Sequence, residues 1–165
     1  MEPRKATLAD VERLVAFFRE AWREAGQDGG LGFTGATEDT INEIASEEFL
    51  RKRLRNPEVN IYIVEELGRV LAFASTRKIN DASAELSGIV VLESATGKGL
   101  GTKLVGKILS DVRHAGFRKI VVKTEAVNQR ALGFYRKMGL TEVGRGTEQV
   151  EDTGVDVVIL EKTLQ

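Results

Sequence analysis

The sequence predicts a mixed α/β (α+β) fold, in which a central, mostly antiparallel sheet of six to seven strands is flanked by about four helices. Short β-branched segments follow one another between residues 60 and 92, as the strands of an antiparallel meander do. Residues 84–124 then read strand, glycine-rich turn, helix and apolar strand, which is typical of a βαβ unit with parallel strands. The length of 165 residues suits a single domain over residues 1–165.

The N-terminal segment predicts an edge strand over residues 1–6 and a helix that runs to about Ala25. Thr7 is followed three residues later by Asp10, a spacing close to that of a capping box. The apolar residues that follow recur at helical spacing: Val11, Leu14, Val15, Phe18, Ala21 and Trp22. These positions predict one buried helix face.

Residues 26–57 predict a loop and two short helices. Five glycines lie within residues 26–36, which favours an irregular connection. Thr37 can cap a second helix, Ser46 starts a further helical turn, and Pro57 prevents its simple continuation. Residues 24–48 hold seven acids and no Lys or Arg. Such a segment forms either a solvated helical face or a negative rim that attracts a cationic amine.

Three meander strands are predicted at residues 60–65, 70–78 and 84–92. Because successive side chains of a strand point to opposite faces, Glu85 is predicted to share its face with Ser87 and Ile89.

Three glycines at alternate positions, Gly97, Gly99 and Gly101, separate the third strand from a helix that ends near Ala115. Glycine lets backbone N–H groups approach a ligand, and the first turn of a helix carries N–H groups without an intrahelical partner. The helix dipole adds a preference for anions. The segment therefore predicts a phosphate-binding cradle.

Two other glycine motifs fit this segment less well. A dinucleotide fingerprint requires a third glycine at the position of Leu104. A P-loop match between Gly101 and Lys107 has Ile108 in place of the hydroxyl that would hold Mg²⁺. The residues inside the P-loop match also belong to the apolar stripe of the helix, so they cannot form an open loop. Neither motif is therefore predicted.

The C-terminal part predicts a short buried strand at residues 120–122 and a helix capped by Asn128. Two final strands are predicted at residues 140–144 and 155–164, joined by a polar connection over residues 147–154.

Composition disfavours several classes of protein. With 24 Lys and Arg against 25 Asp and Glu, the chain lacks the bulk charge that binds nucleic acid or anionic membrane. The absence of cysteine excludes disulfides, Cys-ligated metals and Cys nucleophiles, and one histidine leaves little scope for a metal site. No apolar run approaches membrane-spanning length and no signal-peptide pattern is present. We expect a cytoplasmic protein without metal, nucleic-acid or membrane partners.

Two motifs resemble those of the GNAT (GCN5-related N-acetyltransferase) superfamily. Thr96-Gly97-Lys98-Gly99-Leu100-Gly101 is similar to the family's pyrophosphate-binding motif Q/R-x-x-G-x-G/A, with Thr96 in place of Gln or Arg. Asn128-x-x-Ala131-x-x-Phe134-Tyr135-x-x-x-Gly139-Leu140 is similar to the family pattern N-x-x-A-x-x-x-Y-x-x-x-G-F, with Leu140 in place of Phe. The order of the predicted elements also resembles the GNAT fold over essentially the whole chain.

The resemblance implies transfer of an acetyl group from acetyl-CoA to a primary amine, by direct attack in a ternary complex. In the family a parallel strand pair splays apart and pantetheine enters the gap, where the backbone of Ile89, Val90 and Val91 would hold it. Asn128 is implied as a further cofactor contact. The residues implied to hold the CoA diphosphate are Gly97, Lys98, Gly99, Leu100, Gly101 and Thr102.

The resemblance also implies catalytic roles. Tyr135 is implied as the general acid for the leaving thiolate, since a phenol of pKa about 10 lies within a couple of units of a thiol. Glu85 stands fourteen residues before Gly99, where the histone acetyltransferase branch has a catalytic glutamate, and is the candidate general base. On a wet strand face it would be a surface carboxylate only.

The acidic segment over residues 24–48 favours a cationic acceptor, either a small polyamine-like molecule or a protein or peptide amine. A homodimer is a further expectation from the resemblance. The alternative function is a non-catalytic acyl-CoA-binding sensor or regulatory module. Release of free thiol from acetyl-CoA in the presence of amines would separate the two.

Overall fold

The computed structural model describes residues 1–25, 38–150 and 153–165. Within these ranges the chain forms seven strands and five α-helices. The strands are β1 (Arg4–Lys5), β2 (Val59–Glu66), β3 (Arg69–Lys78), β4 (Ser83–Val91), β5 (Lys119–Glu125), β6 (Thr141–Val150) and β7 (Thr153–Thr163). The helices are α1 (Val11–Ala25), α2 (Glu38–Ile44), α3 (Glu47–Arg55), α4 (Leu100–His114) and α5 (Gln129–Lys137). Among these described helices, none has the length and apolar character needed to cross a membrane.

All seven strands form one sheet in the order β1-β2-β3-β4-β5-β7-β6. Every neighbouring pair is antiparallel except β4 and β5, which run parallel. The parallel pairing covers only residues 83–85 of β4 opposite residues 119–121 of β5. Beyond Glu85 the two strands therefore diverge. The predicted mixed sheet with a splayed parallel pair is confirmed.

Helices cover both faces of the sheet. Phe73 of β3 packs against Phe17 and Phe18 of α1, with ring centroids 6.4 and 4.8 Å away. Tyr62 of β2, which lies opposite the next residue of β3, donates its hydroxyl to Asp111 of α4 at 3.0 Å. Because neighbouring residues of a strand point to opposite faces, α1 and α4 lie on opposite sides of the sheet.

The predicted helix starts follow from local side-chain chemistry. Thr7 and Asp10 form the capping box before α1, with the Thr7 N–H donating to the Asp10 carboxylate at 2.7 Å. Ser46 caps α3 and Asn128 caps α5, each by accepting a backbone N–H of the first turn. Thr37 and the glycine-rich residues 26–36 lie outside the described residues.

The prediction of a polar connection over residues 147–154 is wrong. β6 continues to Val150 and β7 begins at Thr153, with Thr147 paired to Asp156 and Glu148 to Val155. Cross-strand hydrogen bonds hold these polar residues in a long, exposed hairpin, so pairing overrides their turn-like composition. β5 likewise extends past the predicted residues 120–122, as far as Glu125.

Candidate active site

The divergence of β4 and β5 opens a cleft of about 400 Å³. Both predicted catalytic residues, Tyr135 and Glu85, line this cleft, as does Asn128. Past Glu85, β4 pairs with β3 on one side and, within the described residues, with no strand on the other. Its backbone groups on the cleft side can therefore bond to an extended ligand.

Tyr135 reaches the cleft from α5 and is only 5% exposed. It lines the cleft, and burial alone shifts its pKa. Burial raises the pKa of Tyr135 to about 12, because the buried site disfavours the phenolate. The side chain is thus a neutral donor over the physiological pH range.

Glu85 reaches the cleft from β4, and the structure confirms only part of the predicted strand face. Ser75 pairs with Gly88 and Thr76 with Leu86, so Ser87 is an extra residue in a β-bulge. Ser87 lies on the face of Glu85, as predicted, because its hydroxyl is 2.9 Å from that of Ser75 on the same face. The bulge inverts the alternation beyond it, so Val90 shares this face and Ile89 does not.

The carboxylate of Glu85 is already engaged by a cation. The Arg77 guanidinium donates to Glu85 Oε1 at 2.8 Å, and the Glu85 side chain is 12% exposed. Glu85 is therefore neither a freely solvated carboxylate nor an unpaired one. Its role as general base stays a prediction.

Two further carboxylates line the cleft, and the sequence indicated neither of them. Glu148 of β6 accepts a hydrogen bond from Lys123 at 2.8 Å, which raises the pKa of that lysine. Glu125, at the end of β5, has a buried Oε2 atom without a hydrogen-bond partner. The only sequence signal for Glu125 was an acid three residues before Asn128, at the end of a strand.

The glycine turn forms a second pocket, of about 200 Å³, beside the cleft. Most residues predicted to hold the cofactor line it: Ile89, Val91, Gly97, Gly99, Leu100, Gly101 and Thr102. Three others lie elsewhere. Val90 lines a different cavity, Lys98 is exposed outside the pocket, and Asn128 lines the cleft while its side chain accepts the Ala131 N–H at 3.1 Å.

Backbone geometry opens the N-terminus of α4 towards this pocket. Gly97 and Gly99 have φ values of 83° and 72°, in the left-handed region that glycine adopts without strain. Gly99 is the N-cap residue and offers no side chain, so the free N–H groups of the first turn are not capped. Phe134 packs 3.4 Å from where a Cβ of Gly101 would lie, which keeps α5 close to α4.

Arg130 supplies a cation to this pocket that the sequence did not predict. The hydroxyl of Thr96, the residue that departs from the family motif, donates to the Glu93 carbonyl within the turn at 2.8 Å. Arg130, on α5, lines the same pocket. A positive side chain therefore reaches the cradle from α5 rather than from the motif itself.

A third cavity, of about 200 Å³, adjoins the cleft on the α1 and α3 side of the sheet. Its walls include Phe18, Phe49 and Phe73, and it shares Ser87, Gly88 and Ile89 with the cleft. Arg53 also lines it and lies over the Phe49 ring at 5.7 Å. Burial, and then the charge of Arg77, lower the pKa of Arg53.

These features define the class of protein. A parallel strand pair splays beside a glycine cradle at a helix N-terminus, and a buried tyrosine lines the gap between the strands. The sequence model of the acetyltransferase (GNAT) family matches residues 14–140. The chain therefore belongs to the GNAT family, the class of acyl-CoA N-acetyltransferases.

Individual relatives agree with this assignment. The 5-NmdU N-acetyltransferase of Pseudomonas phage PaMx11 is 32% identical over 85 residues, which are 51% of this chain and 59% of the phage protein. This chain thus spans less than two thirds of the length of that relative.

Two solved structures share the fold over nearly the whole chain. The PaiA N-acetyltransferase of Thermoplasma acidophilum, in complex with coenzyme A, has a TM-score of 0.74 at 22% identity and covers 98% of both chains. The ribosomal-protein-alanine N-acetyltransferase of Brucella melitensis has a TM-score of 0.76 at 23% identity, covering 99% of this chain and all of that one.

Proposed function

We propose that the protein transfers an acetyl group from acetyl-CoA to a primary amine, by direct attack in a ternary complex. The observation that carries the proposal is the continuity of the cradle with the cleft. Ile89 lines both pockets, at the edge of β4 that has no strand partner on the cleft side within the described residues. A diphosphate held at the start of α4 would let pantetheine follow β4 towards Tyr135.

The cradle suits the diphosphate of coenzyme A. Its uncapped N–H groups and the dipole of the 15-residue helix α4 favour an anion, and Arg130 adds a full positive charge. The pantetheine amides would take the place of a strand beside residues 89–91. The thioester would then lie in the cleft, where an N–H of β4 can stabilise the developing oxyanion.

The reaction requires three proton transfers. The ammonium group of the acceptor, with a pKa of about 10.4, must lose a proton before its nitrogen can attack the thioester carbon. When the tetrahedral intermediate collapses, the C–S bond breaks and the Tyr135 hydroxyl protonates the sulfur. Because the pKa of Tyr135, about 12, exceeds that of a thiol, the tyrosine recovers its proton from the acylated nitrogen.

The sequence predicts Glu85 as the base for the first proton. The structure supports a position at the cleft, since Glu85 lines it together with Tyr135. The Arg77 ion pair competes for the same carboxylate. Replacing Glu85 with Gln and recording the pH–rate profile tests this role, and an unaltered profile would reject it.

The sequence also predicts a cationic acceptor, and the acids of α2 and α3 support this. All of these acids are exposed, and none of them forms an ion pair with a described residue. They are Glu38, Asp39, Glu43, Glu47 and Glu48. The aromatic cavity beside the cleft would hold the body of the acceptor. Arg53 in its wall opposes a second positive charge there, so we propose a single ammonium group, as in a lysine side chain or a peptide N-terminus.

Acetyl transfer to a panel of amines tests the function. The protein is incubated with acetyl-CoA and, in turn, a lysine peptide, a peptide with a free N-terminus, spermidine and an anionic amino acid, while free thiol is measured. We expect thiol release and an acetylated product with the peptides. Tight coenzyme A binding without thiol release from any amine would instead indicate a sensor.

A further inference from the structure

Three carboxylates line the reactive cleft, and the structure separates them by their partners. Glu85 is paired with Arg77 and Glu148 with Lys123, each at 2.8 Å. Glu125 is in no ion pair with any residue of the described ranges, and its Oε2 atom is shielded from solvent without a hydrogen bond. Of the three, only Glu125 has no cationic partner within the described chain, whereas Glu85 and Glu148 each accept a charge-assisted hydrogen bond at Oε1.

The position of Glu125 fits the path of the acceptor. In the parallel pairing Glu85 lies opposite Val121, and alternation along β5 places Lys123 and Glu125 on the face of Val121. Glu125 is thus on the same face of the sheet as Glu85, but on the opposite wall of the gap that opens beyond the last paired residues. The aromatic cavity adjoins the cleft at Ser87 and Gly88.

A carboxylate oxygen that is shielded from water without a hydrogen bond, as Oε2 of Glu125 is, is unfavourable unless a ligand satisfies it. The ligand chemistry that does so is a cationic N–H donor, and the acceptor of the proposed reaction arrives as one. The other titratable groups that line this cleft are Arg77 from β3, Glu85 from β4, Lys123 from β5, Tyr135 from α5 and Glu148 from β6. Arg77 donates to Glu85 and Lys123 to Glu148, and in the described residues neither cation bonds to Glu125.

We propose that Glu125 receives the ammonium group of the acceptor and takes its proton, as the general base of the reaction. This inference rests on the proposed acetyltransferase function and deepens it, by assigning the base to Glu125 instead of Glu85, whose carboxylate is paired with Arg77. One N–H bond of the ammonium breaks and its proton passes to the Glu125 carboxylate. The neutral nitrogen forms the C–N bond and the C–S bond breaks. The sulfur takes a proton from Tyr135, Tyr135 takes one from the acylated nitrogen, and coenzyme A leaves as its thiol. The proton on Glu125 then returns to solvent, so the turnover releases one proton.

The test compares Glu125→Gln with Glu161→Gln, two isosteric changes, of which the second removes a carboxylate that pairs with Lys119 and does not line the cleft. For the acceptor that the wild type uses best, we expect Glu125→Gln to lower kcat/KM at neutral pH by about 10²-fold. The logarithm of its kcat/KM should rise with pH at unit slope, as free amine becomes available. Acetyl-CoA affinity should stay unchanged and Tm should not fall, because the change removes the charge from an unsatisfied oxygen. Glu161→Gln should remain within about threefold of wild type.

A second acceptor distinguishes a base from a structural residue. Trifluoroethylamine is mostly neutral at neutral pH, so its attack does not require the first proton removal. The ratio of wild-type to Glu125→Gln rates should therefore fall close to one with this amine.

Three results would overturn the proposal. The first is that Glu125→Gln keeps the wild-type rate and pH profile. The second is that Glu125→Gln loses as much activity with trifluoroethylamine as with the preferred acceptor. The third is that the logarithm of kcat/KM rises with pH at unit slope in Glu85→Gln instead. Absence of thiol release by the wild-type protein with every amine would reject the proposed function itself, and this inference with it.

Discussion

Tyr135 lies in an environment that favours one protonation state. Burial raises its pKa from 10.0 to about 12, so the neutral hydroxyl persists across the range in which an assay is run. We expect Tyr135→Phe to lower kcat by about 10²-fold, because the leaving sulfur loses its proton donor. Acetyl-CoA affinity, measured by calorimetry, should change little, since the hydroxyl makes no contact that holds the cradle.

Tyr62 provides the matched control for this change. It is also a buried tyrosine, but its hydroxyl donates to Asp111 on α4 at 3.0 Å and does not line the cleft. Tyr62→Phe should cost about 1 kcal/mol of stability through the lost hydrogen bond and leave kcat unaltered. Equal kcat values for Tyr135→Phe and the wild type would remove Tyr135 from the mechanism.

Asp10 is the residue whose charge most clearly stabilises the fold. Hydrogen bonds from Arg4 at 2.8 and 2.9 Å, together with the Thr7 N–H, hold the pKa of its carboxyl at about 2, below the usual 3.8. Because the folded pKa is the lower one, the stabilisation is full above about pH 4 and is lost as the pH falls towards 2. Asp10→Asn should thus destabilise the protein by about 1–2 kcal/mol at neutral pH, after allowance for screening.

Urea unfolding of Asp10→Asn at neutral and acidic pH measures this effect. The difference from wild type should shrink as the pH approaches 2, where the wild-type carboxyl is itself protonated. Asp81 is the control, because its side chain is fully exposed where it pairs with Lys78. Asp81→Asn should leave stability unchanged at every pH, since exposed ion pairs are screened by solvent. A pH-independent deficit in Asp10→Asn would contradict the linkage.

At the scale of elements, the glycine turn depends on backbone conformation more than on space. A Cβ at Gly99 would meet no atom within 4 Å, yet its φ of 72° is strained for any other residue except Asn or Asp. Gly99→Ala should therefore cost about 1 kcal/mol of stability and tilt the N–H groups that face the cradle. We expect coenzyme A affinity to fall about tenfold, the equivalent of about 1.4 kcal/mol.

Gly106 is the matched control, because it lies in the middle of α4 and also has no neighbour within 4 Å of a Cβ. Its conformation is helical, so Gly106→Ala should raise stability by about 0.5–1 kcal/mol and leave coenzyme A affinity unchanged. Chemical unfolding and calorimetry of both variants provide the measurements. An unaltered affinity in Gly99→Ala would show that the turn does not form the ligand site.

The elements that the sequence predicted are those specified by local chemistry. Caps such as Thr7, Ser46 and Asn128 act within three residues, and helical periodicity acts within a turn, so both can be recognised from neighbouring residues. The β-bulge at Ser87 depends on how β4 registers with β3, which no local pattern determines. For this reason the prediction that Ile89 shares the strand face of Glu85 is wrong.

The candidate site shows the same division. Tyr135 and the cradle glycines lie in short motifs with fixed spacing, so their sequence positions were informative. Arg130 and Glu125 acquire their possible roles only because α5 and β5 carry them to pockets built largely from other segments. Their partners, or lack of partners, are properties of the folded chain.

At the scale of the whole molecule, the sheet is continuous, but one of its internal strand pairings is short where the ligand is expected to bind. β4 and β5 share a pairing of three positions, whereas β3 and β4 pair from Ala72 to Lys78 and β5 and β7 from Lys119 to Glu125. The two halves of the sheet are therefore joined by a short parallel contact beside an open gap. An extended ligand in that gap would bond to β4 along the part of its edge that lacks a strand.

Coenzyme A should accordingly stabilise the whole fold. At a concentration of about 100 times Kd, a ligand that binds only the native state adds about 2.7 kcal/mol. For a domain of this size that corresponds to a rise in Tm of roughly 5–10 °C. The measurement is a thermal melt with coenzyme A, with pantetheine as the control that lacks the diphosphate and should give a smaller shift.

Variants of α5 locate the source of this stabilisation. Arg130→Gln removes the cation that lines the cradle and should reduce the shift given by coenzyme A, but not the smaller shift given by pantetheine. Arg136, on the same helix, is paired with Glu142 at 3.6 Å instead, so Arg136→Gln should retain the full shift. No rise in Tm with coenzyme A, or an equal reduction in both variants, would contradict a diphosphate site at the start of α4. In that case nothing would indicate that one ligand occupies both the cradle and the cleft between β4 and β5.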